Sequence, residues 1–511
     1  MKKIVYSLAV LSIVIVAACN KNIDEENSFT ALSPAKADSD AGAWKPVLIT
    51  SFDSFTVAAP APINAPGYIA EVNEIKSWQH NITAAQKETI KYWSAGAVLR
   101  WNEILRELVA RHNIPPYQND DGTYPFPSAA NPFAYPTFPF ANPPYAARAY
   151  AYVCAAQYDA LIAAYHFKQL YKRAAPYTIE GVQALVPKST LSSYPSEDAT
   201  VEGVTVELLK LLFPADLSFI QQKADEHKLY RIMAGANVRS DIDAGEALGK
   251  AVAQKFTARA RTDKAGAAIG TAAIWADMET KIGATGETPW ISQESPKRPP
   301  MLPLFGKVKT FLFDSAALVS IRPAPPASVK SEEFKKQLAE VKWYSEHYDN
   351  ERMRVVSFWA DGINTYTPPG HWNAIAAEAF ASEGYSEVRW ARNFALLNMA
   401  MMDAAVACWD TKYLYFTPRA SQLDPSIKTL TGLPNFPSYT SGHSTFSGAA
   451  ATILGYLIPA QAERFNAMAS EASMSRLYGA IHYRMDCEQG LLCGQRVGAF
   501  AINRAKSDGA N

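Results

Sequence analysis

Three positively charged side chains near the end of the chain have the types needed to bind an oxyanion. They are Lys412, Arg419 and Arg476. The chain as a whole is neutral, with 49 Lys and Arg against 49 Asp and Glu, so any anion site must be a local cluster. Arginine presents a fork of N–H donors that suits a tetrahedral oxyanion. Taken one at a time, such side chains are usually solvated surface residues, and the prediction depends on their convergence.

A histidine stands at the start of a helical run of small residues, in the stretch FPSYTSGHSTFSGAA at 436–450. Ser441 and Gly442 come directly before it, where a helix N-terminus offers free backbone N–H groups to an anion. Glycine also lets the backbone approach closely. His443 would then lie over the anion, placed for acid/base work. A capping turn alone explains the triplet about as well.

A second histidine, His482, precedes Asp486 by four residues. On a helical turn the two side chains would share one face, and the carboxylate could fix one ring nitrogen. The other nitrogen would be free to attack a substrate or bind a metal. Such a pair is also common on plain helix surfaces.

The combined spacing resembles the vanadium haloperoxidase and type 2 phosphatidic acid phosphatase superfamily. Its pattern is Lys, six residues, Arg; then Ser-Gly-His; then Ser-Arg, five residues, His, three residues, Asp. The matching positions here are Lys412, Arg419, Ser441, Gly442, His443, Ser475, Arg476, His482 and Asp486. Ala420 and Thr440 stand where the family often has proline, which affects the shape of the loops and not the anion ligands.

Three features resemble the haloperoxidase branch, and the first is Phe436-Pro-Ser-Tyr ahead of Ser-Gly-His. Trp409 and Phe436 match aromatic residues on the halide side of the chloroperoxidases. The segment 358–372 resembles a stretch upstream of the active site, in which Asp361 would steady a pocket arginine. Core packing is the alternative for the two aromatic residues.

The resemblance implies a different chemistry for each branch. In a haloperoxidase, His482 is the vanadium ligand, and vanadate is held by Lys412, Arg419, Arg476 and the N–H groups of Ser441 and Gly442. His443 takes a proton from hydrogen peroxide, Lys412 assists catalysis, and halide is oxidised.

In a phosphatase, the same pocket takes a phosphate monoester and needs no cofactor. His482 attacks phosphorus to give a phosphohistidine, and His443 protonates the leaving group. Asp486 orients His482 in both cases. We favour the haloperoxidase branch. A non-catalytic anion-binding module is a third class, but it would not need the acid/base set His443, His482 and Asp486.

Helical periodicity dominates the sequence and strand alternation is scarce, so we expect a mainly α fold built from helical bundles. The resemblance implies the vanadium haloperoxidase and acid phosphatase-like fold. Thr83 and Gln86 form a capping-box pattern ahead of a helix reaching about residue 112. The other predicted helices are 146–171, 201–210, 240–261, 331–348, 371–382, 386–408, 443–457, 460–480 and 488–505.

The N-terminus has the features of an exported protein. A short basic start and an apolar run end in Val16-Ala-Ala-Cys19, which resembles a bacterial lipobox with lipidation at Cys19. An ordinary signal peptide or a membrane anchor is the alternative. We therefore expect a signal peptide at 1–19 and a protein lipid-anchored in the bacterial cell envelope.

The rest of the chain divides into three predicted parts: a flexible tether at 20–44, an N-terminal helical region with Pro-rich loops at 45–330, and a C-terminal bundle carrying the site at 331–511. Residues 114–145 are predicted to be a long loop rich in proline and aromatic residues. The partners expected are small molecules and not nucleic acid, because no basic run is present. Of the later cysteines, we expect Cys154 and Cys408 to be buried. Cys487 and Cys493 could form a disulfide with each other or remain free thiols.

Overall fold

The computed structural model describes residues 29–114, 142–295 and 297–510, and within these ranges the protein is all-α, with no strand. The α-helices are α1 Pro66–His80, α2 Ala84–Trp93, α3 Ala97–His112, α4 Pro143–Tyr171, α5 Glu197–Leu212, α6 Leu217–Met233, α7 Arg239–Thr262, α8 Ala272–Ala284, α9 Ser315–Ile321, α10 Glu332–Glu346, α11 Asn350–Phe358, α12 Thr367–Ala381, α13 Glu387–Tyr415, α14 Ala420–Leu423, α15 Gly442–Leu457, α16 Ala462–Tyr478 and α17 Arg484–Ala505. The predicted mainly α fold is confirmed.

Two long helices form the centre of the molecule. Helices α4 and α13 each have 29 residues, are buried over most of their length, and pack against each other. Both are rich in alanine, and small side chains on all faces allow several neighbours to approach closely. Lys412 lies in the last turn of α13, so this central helix carries one site residue directly.

A tight crossing of α15 and α17 fixes the other half of the site. Gly494 on α17 lies so close to α15 that a Cβ there would collide with the carbonyl of Thr445. Gly448 makes the reciprocal approach toward the backbone of Leu491. The first turns of these two helices carry His443 and Asp486, which the crossing therefore holds in a fixed relation.

One hydrophobic core spans the boundary predicted near residue 330, because α4 and α5 share a buried cluster with α13 and α15. A flexible tether was predicted at 20–44, but residues 38–44 of this segment pack against the helices. Asp38 is buried, accepts a hydrogen bond from Ser386, and pairs with Arg389 at 2.7 Å. Ala41 and Trp44 are buried beside it. An ion pair and apolar burial therefore fix this segment against the helical body.

The capping box at Thr83 and Gln86 is present, but the predicted helix to residue 112 is two helices. Gly96 separates them with φ of +124°, a backbone conformation that residues with a side chain rarely adopt.

Several sequence predictions fall outside the described residues, namely Cys19 with its signal peptide and most of loop 114–145. Cys154, Cys408, Cys487 and Cys493 are all buried and free. None of the described helices combines the length and the hydropathy of a membrane span.

Candidate active site

The predicted site residues converge on one cavity of about 510 Å³. Its wall includes the first turn of α15, the loops before α15 and α17, and the segment that precedes α12. The predicted residues that line it are Asp361, Trp409, Phe436, Gly442, His443, Arg476 and His482. Lys412 and Arg419 are buried next to these residues.

Lys412 is fully buried and is held by backbone oxygens. Its Nζ donates to the carbonyls of Pro437 and Ser438 at 2.8 and 2.9 Å. The ammonium group also lies 4.7 Å from the centre of the Phe436 ring. Its position in the last turn of α13 is favourable for a cation, because a helix C-terminus carries partial negative charge.

The two arginines are also oriented by backbone carbonyls. Arg419 donates to Phe436 O at 3.0 Å and to Ile481 O at 2.5 Å. Its Nη1 lies 3.2 Å from Nε2 of His482. Arg476, in the last turn of α16, donates to Trp359 O at 2.7 Å. These carbonyls fix the direction of each guanidinium without neutralising its charge.

None of the three cations has a carboxylate within ion-pairing distance among the described residues. Burial lowers the pKa of Arg419 and of Arg476 to about 10 in each case, although the more distant Asp486 and Asp361 act in the opposite direction. Burial, together with the charge of Arg419, lowers the pKa of Lys412 as well. The cluster therefore carries uncompensated positive charge, and a bound anion would relieve it.

The N-terminus of α15 adds backbone donors to these cations. Ser441 is the N-cap, and its Oγ accepts from the N–H of Ser444 at 3.3 Å. The Ser441 N–H is already used, because it donates to Asp486 O at 2.9 Å. This corrects the prediction that Ser441 offers its N–H to an anion. Among the described residues, the N–H groups of Gly442 and His443 have no protein acceptor and are the available donors.

His482 is held in one orientation by Asp486. Its Nδ1 lies 2.9 Å from Asp486 Oδ2, and Ser438 Oγ donates to the same oxygen at 2.5 Å. The contact does not run along a helix face, because α17 begins at Arg484. Instead, His482 precedes the helix, and Asp486 in its first turn accepts from the Tyr483 N–H.

The protonation states of this pair follow from its burial. Burial and the charges of Arg419 and Lys412 lower the pKa of His482 well below its usual range. Burial raises the pKa of Asp486, while Ser438 and Lys412 oppose that rise. His482 is therefore neutral at pH 7, and its Nε2, which accepts from Arg419 Nη1 in this structure, is the nitrogen that an electrophile would take.

His443 is a neutral base at the cavity wall. Burial and the charges of Arg476 and His371 lower its pKa well below 6.5. Its Nε2 is buried with no hydrogen bond and lies 3.7 Å from Asp361 Oδ2. A neutral imidazole can accept a proton from a group bound in the cavity.

The aromatic pair and Asp361 lie beside the cations. The rings of Trp409 and Phe436 are 5.1 Å apart, and Trp409 Nε1 donates to Met301 O. Asp361 makes no ion pair with Arg476, contrary to the role predicted for it. Its carboxylate instead contacts His371 at 3.0 Å and faces His443.

Sequence reasoning missed two residues that position the site. Ser438 anchors Asp486 and, through its carbonyl, Lys412. Asn113, after α3, donates to the carbonyls of Gly362 and Thr365 at 2.7 and 3.0 Å, which clamps the loop that carries Asp361. Ser438 lies next to the recognised motif, whereas no local pattern marks Asn113.

Residues 393–507 match the model of one protein family, which is described as the PAP2 superfamily. The chain carries a PAP2 superfamily domain. This PAP2 domain contains Lys412, Arg419, His443, Arg476 and His482, whereas Asp361 and Asn113 lie outside it. None of the curated proteins compared with the chain matches it.

Three solved structures that are similar to this chain over most of its length are vanadium-dependent peroxidases. A bacterial vanadium-dependent iodoperoxidase has 22% identity and a TM-score of 0.60, covering 79% of this chain and 95% of that one. A bacterial vanadium-dependent chloroperoxidase in its holo form has 13% identity and a TM-score of 0.50, covering 74% and 96%. Its apo form has 12% identity and the same TM-score of 0.50, covering 71% and 94%. At these identities the likeness is one of fold.

Proposed function

We propose that this protein is a vanadium-dependent haloperoxidase-like enzyme that oxidises halide with hydrogen peroxide. The observation that carries the proposal is the group of three buried cations beside a neutral His482, which have no carboxylate partner in the part of the chain that the structure describes. The haloperoxidase neighbours and the aromatic wall formed by Trp409 and Phe436 support this branch. The overall reaction converts halide, hydrogen peroxide and one proton into hypohalous acid and water.

The residues present fit vanadate. Nε2 of His482 would be its single protein ligand, with the cations around it and the N–H groups of Gly442 and His443 at its edge. The described residues contain no cluster of three His, Cys, Asp or Glu side chains that could hold a metal ion, and an oxyanion bound by one histidine needs none. When bound, vanadate supplies a Lewis acid that activates peroxide without a change of metal oxidation state.

The protein's own groups have separate tasks in this reaction. Asp486 fixes the Nδ1–H tautomer of His482, so Nε2 keeps its lone pair. Arg419, Arg476 and Lys412 stabilise the negative charge on the oxyanion. His443 accepts a proton from incoming peroxide and returns it to the leaving oxygen.

A phosphatase is the second candidate, and the geometry of His482 favours it equally. A neutral histidine with Nδ1 held by a carboxylate is a suitable nucleophile toward phosphorus. The three cations would stabilise the equatorial charge of phosphoryl transfer. His443 would protonate the leaving alkoxide and then activate water.

One pair of assays separates these functions. Vanadate-loaded protein is mixed with hydrogen peroxide, a dicarbonyl dye and each halide in turn, and p-nitrophenyl phosphate hydrolysis is followed without vanadate. We expect halogenation that depends on both vanadate and peroxide. Phosphatase turnover without halogenation would refute the haloperoxidase proposal, and binding without either turnover would support an anion-binding module.

We also propose that the chain is exported and lipid-anchored through Cys19 in the cell envelope. The motif before Cys19 and the short apolar run support this location. Metabolic labelling with a fatty-acid probe, in wild type and Cys19→Ser, tests it. The label is expected only in the wild type, and equal labelling of both would contradict the proposal.

A further inference from the structure

The proposed acid/base group has a buried ring nitrogen without a hydrogen bond, and a buried carboxylate oxygen, also without one, lies opposite it. They are Nε2 of His443 and Oδ2 of Asp361, which lie 3.7 Å apart. A buried donor or acceptor without a partner costs about 1–3 kcal/mol, and these two atoms are complementary. Hydrogen bonds in unliganded sites are often long and shorten when the site is filled. A shift of about 1 Å would join them.

The other oxygen of Asp361 is held by His371. The His371 Nδ1 lies 3.0 Å from Asp361 Oδ1. The His371 ring stacks on Trp359, with ring centres 4.6 Å apart, and contacts Phe358 edge-on. Trp359 is fixed in turn, since its Nε1 donates to Glu471 at 2.8 Å. His371 therefore has a defined orientation, and so does the carboxylate that it contacts.

The backbone of this loop is held in an uncommon conformation. Asp361, Asn364 and Thr367 all have positive φ, at 46°, 62° and 66°. Residues with side chains adopt this region at a cost of about 1–3 kcal/mol each. The Asn113 clamp maintains the loop, so the strain is retained where Asp361 faces the acid/base group.

We propose that His371 is a positioning residue that acts through Asp361 on His443. His371 donates from Nδ1 to Oδ1 of Asp361 and turns Oδ2 toward His443. The carboxylate then favours the His443 tautomer with hydrogen on Nε2, leaving Nδ1 to exchange protons in the cavity. It also stabilises the imidazolium that forms when His443 has taken a proton.

This role rests on the proposed function only in that His443 is the acid/base group. It holds for peroxide and for phosphate chemistry alike, because both need a proton moved at the same ring. Burial lowers the pKa of Arg476, and the negative charge of Asp361 opposes that shift. The hydrogen bonds of Arg476, however, go to Trp359 O, Val356 O and Ser475 Oγ. The Asp361 carboxylate is therefore available to His371 and His443.

The test compares His371→Phe, which keeps an aromatic ring, with His371→Asn, whose amide can donate in place of Nδ1–H. His347→Phe is the matched control, because His347 also stacks on a tryptophan, Trp343 at 4.8 Å, and does not line the cavity. We expect His371→Phe to lower kcat about 10-fold with KM changed less than about 3-fold. We expect His371→Asn to recover most of the loss and His347→Phe to match the wild type.

A second readout does not use turnover. Nitrogen NMR of protein labelled with ¹⁵N-histidine, without vanadate, reports the His443 tautomer, with His443→Gln identifying its signals. The wild type should carry hydrogen on Nε2, and His371→Phe should show exchange between tautomers. Identical His443 signals and identical kcat in the wild type and His371→Phe would overturn the inference. If the wild type has neither enzymatic activity, the proposed function fails, while the nitrogen spectra still decide the role of His371.

Discussion

Two cavities of this protein have cations in or beside their walls, buried at the proposed active site and partly buried in the other, and they differ in how those charges are balanced. The second cavity, of about 330 Å³, lies in the N-terminal region and is lined by Glu197, Asp198 and Arg231. There Arg231 lies 3.3 Å from Asp198 and 3.5 Å from Glu197. Within the described residues, the cations of the proposed active site have no such partner.

The pKa shifts run in opposite directions in the two cavities. Burial alone would lower the pKa of Arg231, but Asp198 raises it overall. At the proposed active site burial dominates, and the pKa of Arg419 falls to about 10. A buried cation with its own carboxylate is a structural element, whereas a buried cation without one is prepared for an anion from outside.

The largest expected difference is between two histidines: His482, which lines the proposed active site, and His227, which is buried behind Asp198 of the other cavity. Both His482 and His227 contact an aspartate, at 2.9 and 3.4 Å. His482→Ala should lower kcat at least about 1000-fold, because it removes the only protein ligand or nucleophile. His227→Gln should keep kcat within about 2-fold and lower the free energy of unfolding by about 1–3 kcal/mol.

Steady-state assays and urea unfolding of both variants measure these effects. Activity retained in His482→Ala would show that the site is assigned wrongly. Comparable losses of activity in the two variants would remove the distinction between the cavities.

The second difference concerns loss of a cation. Arg231→Met removes one partner of Asp198 and of Glu197, which keep Tyr230 and Lys168 respectively, and should cost about 1–3 kcal/mol of unfolding free energy. Lys412→Met removes an uncompensated charge and should cost less. Thermal unfolding with and without vanadate then separates their functions, since a ligand stabilises only a protein that binds it.

Vanadate should raise the melting temperature of Arg231→Met as it does that of the wild type, and should have little effect on Lys412→Met. The contrast would be refuted if vanadate stabilised both variants equally.

The smallest expected effect is on the pH dependence of stability. The pKa values of His443 and His482 lie well below 6.5 in the folded protein. As pH falls through about 6.5, the unfolded chain takes up protons that the folded protein does not, so stability decreases. The loss is about 0.8 kcal/mol per histidine at pH 6.

His227, buried against Asp198 of the other cavity, also has a lowered pKa, so acidification alone does not separate the two regions. Saturating phosphate should reduce the pH dependence only through the site histidines. We therefore expect phosphate to flatten the stability profile between pH 7.5 and 6 more in the wild type than in His482→Gln, which keeps only His443. An equal effect in both would contradict this assignment.

The sequence was sufficient for the all-α fold and for the residues of the anion site, because the spacing from Lys412 to Asp486 lies in one continuous region. It was not sufficient for contacts between distant segments. Asn113 reaches the loop at 362–365 only because α3 packs near α12. The packing of Asp38 against Arg389 joins residues 351 positions apart.

Which partner each polar group of the site contacts also depended on tertiary structure. The Ser441 N–H was predicted to face an anion, but the crossing of α15 and α17 brings the Asp486 carbonyl to it. Asp361 was assigned to an arginine by resemblance, and His371, ten residues later, takes that contact. Helix periodicity does not specify which of several nearby polar groups will pair.

Calorimetric titration with orthovanadate tests most directly whether the three unpaired cations hold one oxyanion. We predict one vanadate per chain in the wild type and in Arg231→Met, with at least about 100-fold weaker binding in Arg419→Met. No saturable binding to the wild type, or equal affinity in wild type and Arg419→Met, would contradict it.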